Sequence, residues 1–98
     1  MNPFKVISLF DLVGRDVILH KNKTDIVIQI LEIANGNGIT KFKISTKGFL
    51  NYDQLGRYLT ILIESGLLKY DTTKCTFKTT EKGLTVVQAY DQMSQILK

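Results

Sequence analysis

Four side chains within seven residues, Asn51, Tyr52, Gln54 and Arg57, could do recognition chemistry on a planar polar partner. A glutamine amide can bond adenine, and an arginine fork can grip guanine. Lysines stand on both sides of them. Lys41, Lys43 and Lys47 fall in an acid-free stretch, residues 39–50, and Lys69, Lys74, Lys78 and Lys82 follow against only Asp71 and Glu81. Such a surround suits an anionic partner, because lysines near a reading surface can hold phosphates and set register. The chemistry of enzymes has no comparable footing. The single histidine, His20, and the single cysteine, Cys75, lie in different segments. There is no His/Cys/acid cluster, no glycine-rich phosphate loop and no nucleophile motif. One cysteine permits neither an internal disulfide nor a multi-cysteine zinc site. No catalytic residue, metal ligand or cofactor is therefore expected. His20 reads as a surface residue in a polar turn, and Cys75 as a small packing residue on a strand.

The four candidate residues need a helix to present them, and residues 51–66, NYDQLGRYLTILIESG, supply one. Asn51 can cap its first turn, with Gln54 three residues on as in a capping box. Leu55, Leu59, Leu62 and Ile63 recur at helical spacing and predict a buried face. Tyr52, Asp53, Gln54, Arg57 and Thr60 remain on a polar face, and Gly66 suits a left-handed helix stop. The preceding TKFKIST, residues 40–46, alternates as a strand would. Yet Thr40 can cap a short helix from Lys41, and Gly48 can end it. Ile39, Phe42 and Ile44 would then face the core. The turn KGFLN leads straight into the capped helix, and this favours the helical reading: short helix, tight turn, longer helix.

After Gly66, Leu67 and Leu68 are expected inside. Tyr70, Phe77 and Cys75 alternate with Lys69, Lys74 and Lys78, giving a hairpin with one apolar and one basic face. Its turn, Asp71 to Lys74, lacks glycine and so is not expected to be a two-residue mirror-type turn. Thr80 then caps a last helix from Glu81 to about Leu97. Leu84 and Val87 are expected against the domain, while Val86, Tyr90, Met93 and Leu97 step by four, three and four as a coiled-coil seam does.

Upstream, Thr24 or Asp25 is expected to cap a helix with Ile26, Val27, Ile30, Leu31, Ile33 and Ala34 inside and Gln29 and Glu32 outside. The breakers NGNG, residues 35–38, end it. Residues 1–23 are apolar enough to require packing on the domain or a partner. They allow an amphipathic helix from Phe4 to Val13 and a short strand at residues 17–20.

Ninety-eight residues with 44% hydrophobic and 22% charged side chains describe one ordinary globular domain. A net charge of +4 favours an anionic partner. No apolar run approaches the ~20 residues of a membrane span. The first sixteen residues make a poor signal peptide, broken by Asp11. A cytoplasmic protein with no membrane partner is expected.

With these pieces in order, the chain resembles the archaeal winged helix-turn-helix family of small dimeric DNA-binding proteins. The likeness covers roughly residues 25–98 and is carried by DIVIQILEIANG, by LNYDQLGRYLTILIESGLL and by TTEKG. It implies a mainly α fold with a small β-hairpin (α+β), a winged helix-turn-helix with a C-terminal dimerisation helix. It divides the chain into an extension of open role (1–23), the winged domain (24–80) and a C-terminal helix (81–98). It implies binding to double-stranded DNA, as a transcriptional regulator or chromatin-associated protein. A helix-turn-helix places its second helix in the major groove with N-terminal residues at base edges. The expected DNA contacts are thus Asn51, Tyr52, Gln54 and Arg57 on helix 51–66, Lys41, Lys43 and Lys47 before it, and Lys69, Lys74 and Lys78 on the wing 67–80. The homodimer is expected through Val86, Tyr90, Met93 and Leu97. The alternative is a winged-helix protein-interaction module that makes no DNA contact, since a fold does not fix a function. Plainer roles compete residue by residue: Asn51 and Gln54 serve equally as a cap, Tyr52 and Tyr58 as packing, and the lysines as solvated surface.

Overall fold

A computed structural model describes residues 22–97. The expectations for residues 1–21, including the position of His20, lie outside the described residues.

The first helix, α1 (Lys23–Ile33), starts two residues before the sequence reading. Asn22, not Thr24 or Asp25, is the cap, and its side-chain oxygen accepts from the Asp25 N–H at 2.8 Å. Asparagine caps well, and this frees Asp25 to sit in the first turn, where a carboxylate suits the helix dipole. Ile30, Leu31 and Ala34 are buried as expected, and Ile28 joins them. Gln29 does not simply face solvent: it is half-buried, and its amide donates to the Gly48 carbonyl at 3.3 Å.

Helix α2 (Lys41–Gly48) settles the strand-or-helix ambiguity for helix, with Thr40 accepting from the Lys43 N–H at 3.3 Å. Ile44 is fully buried, but Phe42, expected inside, is 70% exposed. The stop also differs. Gly48 remains helical and buried, because a β-carbon there would lie 3.0 Å from the Leu50 side chain. The left-handed position therefore falls on Phe49, at φ 53°. Leu50 N–H donates to Ser45 O at 2.9 Å and Phe49 N–H to Thr46 O at 3.4 Å, the paired bonds of a Schellman stop.

Helix α3 (Tyr52–Glu64) follows directly, capped by Asn51, whose oxygen accepts from the Gln54 N–H at 2.9 Å. Leu55, Leu59 and Leu62 are buried, whereas Ile63, expected with them, is partly exposed. The same Schellman bonds end this helix: Leu67 N–H to Leu62 O, and Gly66 N–H to Ile63 O, with Gly66 at φ 78°.

Strands β1 (Leu68–Asp71) and β2 (Thr76–Thr79) form the antiparallel hairpin. Its four-residue turn is held by Asp71, whose carboxylate accepts from Thr73 and Lys74 N–H groups at 2.9 and 3.1 Å. Cys75 belongs to this turn rather than to a strand, exposed at φ 56°, so it is not a packing residue. The sheet has a third, single-residue member. Ile39 and Phe77 exchange both backbone hydrogen bonds, at 3.0 and 2.7 Å, which ties the segment before α2 to the hairpin.

Helix α4 (Glu81–Leu97) starts at Thr80, whose hydroxyl accepts from Gly83 N–H at 3.1 Å and donates to Gly66 O at 2.7 Å. It lies against α1 in the opposite direction. Near its start, buried Thr79 donates through its hydroxyl to Leu31 O at 2.6 Å, and through its N–H to Ala34 O. Further along, Tyr90 donates to the Asp25 carboxylate at 3.0 Å. The core joins Ile30, Leu31, Ala34, Ile44, Leu55, Leu59, Leu62 and Leu68.

Candidate nucleic-acid interface

Burial of Leu55, Leu59 and Leu62 fixes the rotation of α3. Opposite them, Asp53, Arg57, Thr60 and Glu64 form an exposed stripe. Asn51, Tyr52 and Gln54 are exposed at the N-terminal end, Asn51 with its oxygen committed to the cap. The first two turns thus hold Gln54 and Arg57 side chains free to meet a partner. The helix itself is not basic. Asp53 and Glu64 outweigh Arg57 by one charge, so attraction for an anion must come from its neighbours.

Those neighbours divide into two places. Lys41 lies across α3, its ammonium 3.9 Å from the centre of the Tyr52 ring, a cation–π distance. It borders an open groove of about 540 Å³ between α3 and the hairpin. Phe42, Tyr52, Gly56, Thr60, Tyr70 and Phe77 also line that groove, and among the described residues Lys41 is its one charged lining group. Tyr70 and Phe77 are a cross-strand pair with ring centres 4.8 Å apart. A side-chain hydrogen bond with Cys75 raises the Tyr70 phenol above its ordinary value.

Lys43 and Lys47 project from the other side of α2, into a depression that runs along residues 33–39. Lys69 and Lys78 line an adjoining depression on the outer face of the hairpin, and both depressions share Asn37 and Gly38. Lys69 and Lys78 are directly opposite one another in the sheet register. Like charges so placed repel, which an anion between them would relieve. Lys74 is exposed in the hairpin turn. Four lysines therefore surround the Asn37–Gly38 turn, apart from the aromatic groove.

The seam on α4 splits. Val86 packs on the core and Tyr90 is half-buried against α1. Met93 and Leu97 are 60% and 79% exposed, with Ile96 beside them. Sequence reasoning missed Ile96, the exposed Phe42 and Phe49, and the groove itself. A glycine at position 56, inside an otherwise strong helix pattern, was the one signal for a close approach there.

Helix, tight turn, helix and hairpin, with the second helix exposed at its N-terminal end, define a winged helix-turn-helix domain. The sequence profile of the family described as winged helix-turn-helix matches residues 20–98, and the chain belongs to that family. No curated protein matches it. The fold is one that DNA-binding domains use, and among the described residues no helix is long and apolar enough to cross a membrane.

Proposed function

We propose that the protein binds double-stranded DNA as a transcriptional regulator or chromatin-associated protein, with residues 24–80 as the DNA-binding unit. Helix 51–66 enters the major groove, where Gln54 and Arg57 meet base edges, and the wing, residues 67–80, rests on adjacent backbone. The observation that carries this reading is the exposed, polar start of α3 with lysines on either side of it. A helix with more acid than base cannot supply the affinity. Lys43, Lys47, Lys69, Lys74 and Lys78 do so through phosphates. Residues 81–98 extend this to a homodimer like the small archaeal proteins the sequence resembles, joined through the exposed end of α4 at Met93 and Leu97. Val86 and Tyr90 steady that helix from within.

A salt titration of binding to an arbitrary duplex, followed by fluorescence anisotropy, tests the proposal. Five phosphate-contacting lysines per protomer give a log–log slope of about −4.5 for one bound protomer and about −9 for the homodimer. Arg57→Ala weakens binding with little change in thermal stability, since its side chain is exposed. No binding at low salt, to this duplex or to a randomised pool, refutes the DNA reading. A second reading then gains ground, a protein-interaction module. The exposure of Phe42 at the edge of a groove that Tyr52, Tyr70 and Phe77 also line favours it, because a contiguous apolar patch can mark a partner's site.

A further inference from the structure

We infer that Lys41 is a specificity-determining residue, one that reads a guanine from the surface of α3 rather than anchoring a phosphate. The inference rests on the DNA reading above and deepens it. Lys41 belongs to α2 in sequence, but its ammonium is seated over the Tyr52 ring, within the first turn of α3. The seat exists because residue 56 is glycine. A β-carbon there would lie 2.9 Å from the Lys41 nitrogen and 3.7 Å from its ε-carbon. The lysine stem therefore crosses α3 through the space that a side chain would take.

Three observations separate this lysine from the others. Lys43 and Lys47 leave α2 on the opposite side, toward the Asn37–Gly38 turn. Lys41 is half-buried, whereas Lys43, Lys47, Lys69, Lys74 and Lys78 are exposed. Among the described residues no carboxylate pairs with it, and its one partner is an aromatic face. An ammonium has three donors, and a ring face occupies one direction only. The remaining N–H groups stand beside the first two turns of a helix whose own net charge is negative. In a major groove those turns meet base edges, and the guanine edge offers the O6 and N7 acceptors that suit lysine. A phosphate anchor needs no fixed seat; a base reader does.

The test compares wild type with Lys41→Ala, Gly56→Ala and Lys43→Ala. A preferred duplex is first selected from a random pool. Affinities are then measured across salt for that duplex and for versions with each guanine in turn replaced by adenine. Lys41→Ala is expected to lose roughly 5- to 150-fold on the preferred duplex and to erase discrimination at one guanine. Gly56→Ala keeps the charge but displaces the ammonium, so it loses the same discrimination with the salt slope unchanged. Lys43→Ala weakens every duplex alike and lowers the slope by about 0.9 per bound protomer. If Lys41→Ala behaves as Lys43→Ala does, Lys41 is a phosphate anchor and the inference is overturned while the DNA reading stands. If the wild type binds no duplex, both fall together.

Discussion

The same substitution at two helical glycines should have unequal effects on stability, and the difference tests the packing described above. At Gly83, in the first turn of α4, an added β-carbon would meet the Leu67 carbonyl oxygen within any normal contact distance, and the Thr79 Cγ2 at 2.7 Å. Neither neighbour can yield. The Leu67 oxygen accepts from Thr80 N–H at 3.0 Å, and Thr79 is buried with its hydroxyl bonded to Leu31. Overpacking a rigid site costs about 1–3 kcal/mol, and more when backbone must shift. The helix-propensity gain of alanine over glycine, at most about 1 kcal/mol, is reduced in a first turn. Gly83→Ala should therefore lower stability by about 1–3 kcal/mol, or the melting temperature by about 5–20 °C at this size.

At Gly56 the only atoms in the way, among the described residues, are the end of the Lys41 side chain, which can swing into solvent. Alanine there gains about 0.8–1.0 kcal/mol in helix propensity. It forfeits an exposed cation–π contact of about 0.5–1 kcal/mol. The net lies near zero or slightly stabilising. Urea unfolding of both variants at one protein concentration reads the contrast, the fixed concentration removing any shift from association. Equal stabilities, or a Gly56→Ala weaker than Gly83→Ala, would refute the account of how α4 docks.

Further expectations rest on single contacts. Thr79→Val removes the buried donor to Leu31 O, near the end of α1, and should cost about 1–3 kcal/mol by chemical denaturation. Tyr90→Phe removes the bond to Asp25 and, because the site is only half-buried, should cost about 1 kcal/mol at neutral pH. Burial first, and then the Asp25 hydrogen bond, raises the Tyr90 pKa above its ordinary value of 10.0. The folded state therefore holds that proton longer than the unfolded one does. Its stabilisation is complete below pH 10 and is lost as pH rises through the raised value, so the gap between wild type and Tyr90→Phe should close in alkaline solution. A gap independent of pH would detach the shift from this contact. Met93→Glu places a carboxylate among exposed apolar residues of α4 and should weaken self-association more than tenfold, about 1.4 kcal/mol. An unchanged mass by sedimentation equilibrium would remove α4 from the proposed dimer.

Periodic and capped segments were legible in the sequence. The leucines of α3, the Asn51, Thr40 and Thr80 caps and the presence of a hairpin after α3 all follow from spacing and side-chain type. What spacing could not convey was direction. Phe42 and Ile44 are two residues apart on a short helix, and only the packing of α1 and α3 around Ile44 decides which is inside. Gly48 looked like the stop because glycine usually takes the left-handed position. The tight approach of Leu50 claimed that glycine for space instead and passed the left-handed backbone to Phe49. The lysines show the same limit at the level of the site: Lys41 and Lys43 are near neighbours in sequence yet serve different surfaces.

That division bears on how affinity and selectivity relate under the DNA reading. Exposed lysines around Asn37 and Gly38 attract any phosphate backbone, and salt weakens them all together. With the seated Lys41 counted, the α3 surface carries as much acid as base, so on a mismatched duplex it contributes little attraction of its own. Only where Arg57, Gln54 and the seated Lys41 find their acceptors does that surface become favourable. Selectivity then arises as much from the acids as from the readers, since Asp53 and Glu64 disfavour α3 on a duplex that leaves the readers unmatched. Replacing Asp53 with asparagine should accordingly tighten binding to arbitrary DNA more than to the preferred duplex. Equal tightening on both would show that Asp53 acts on the backbone field alone.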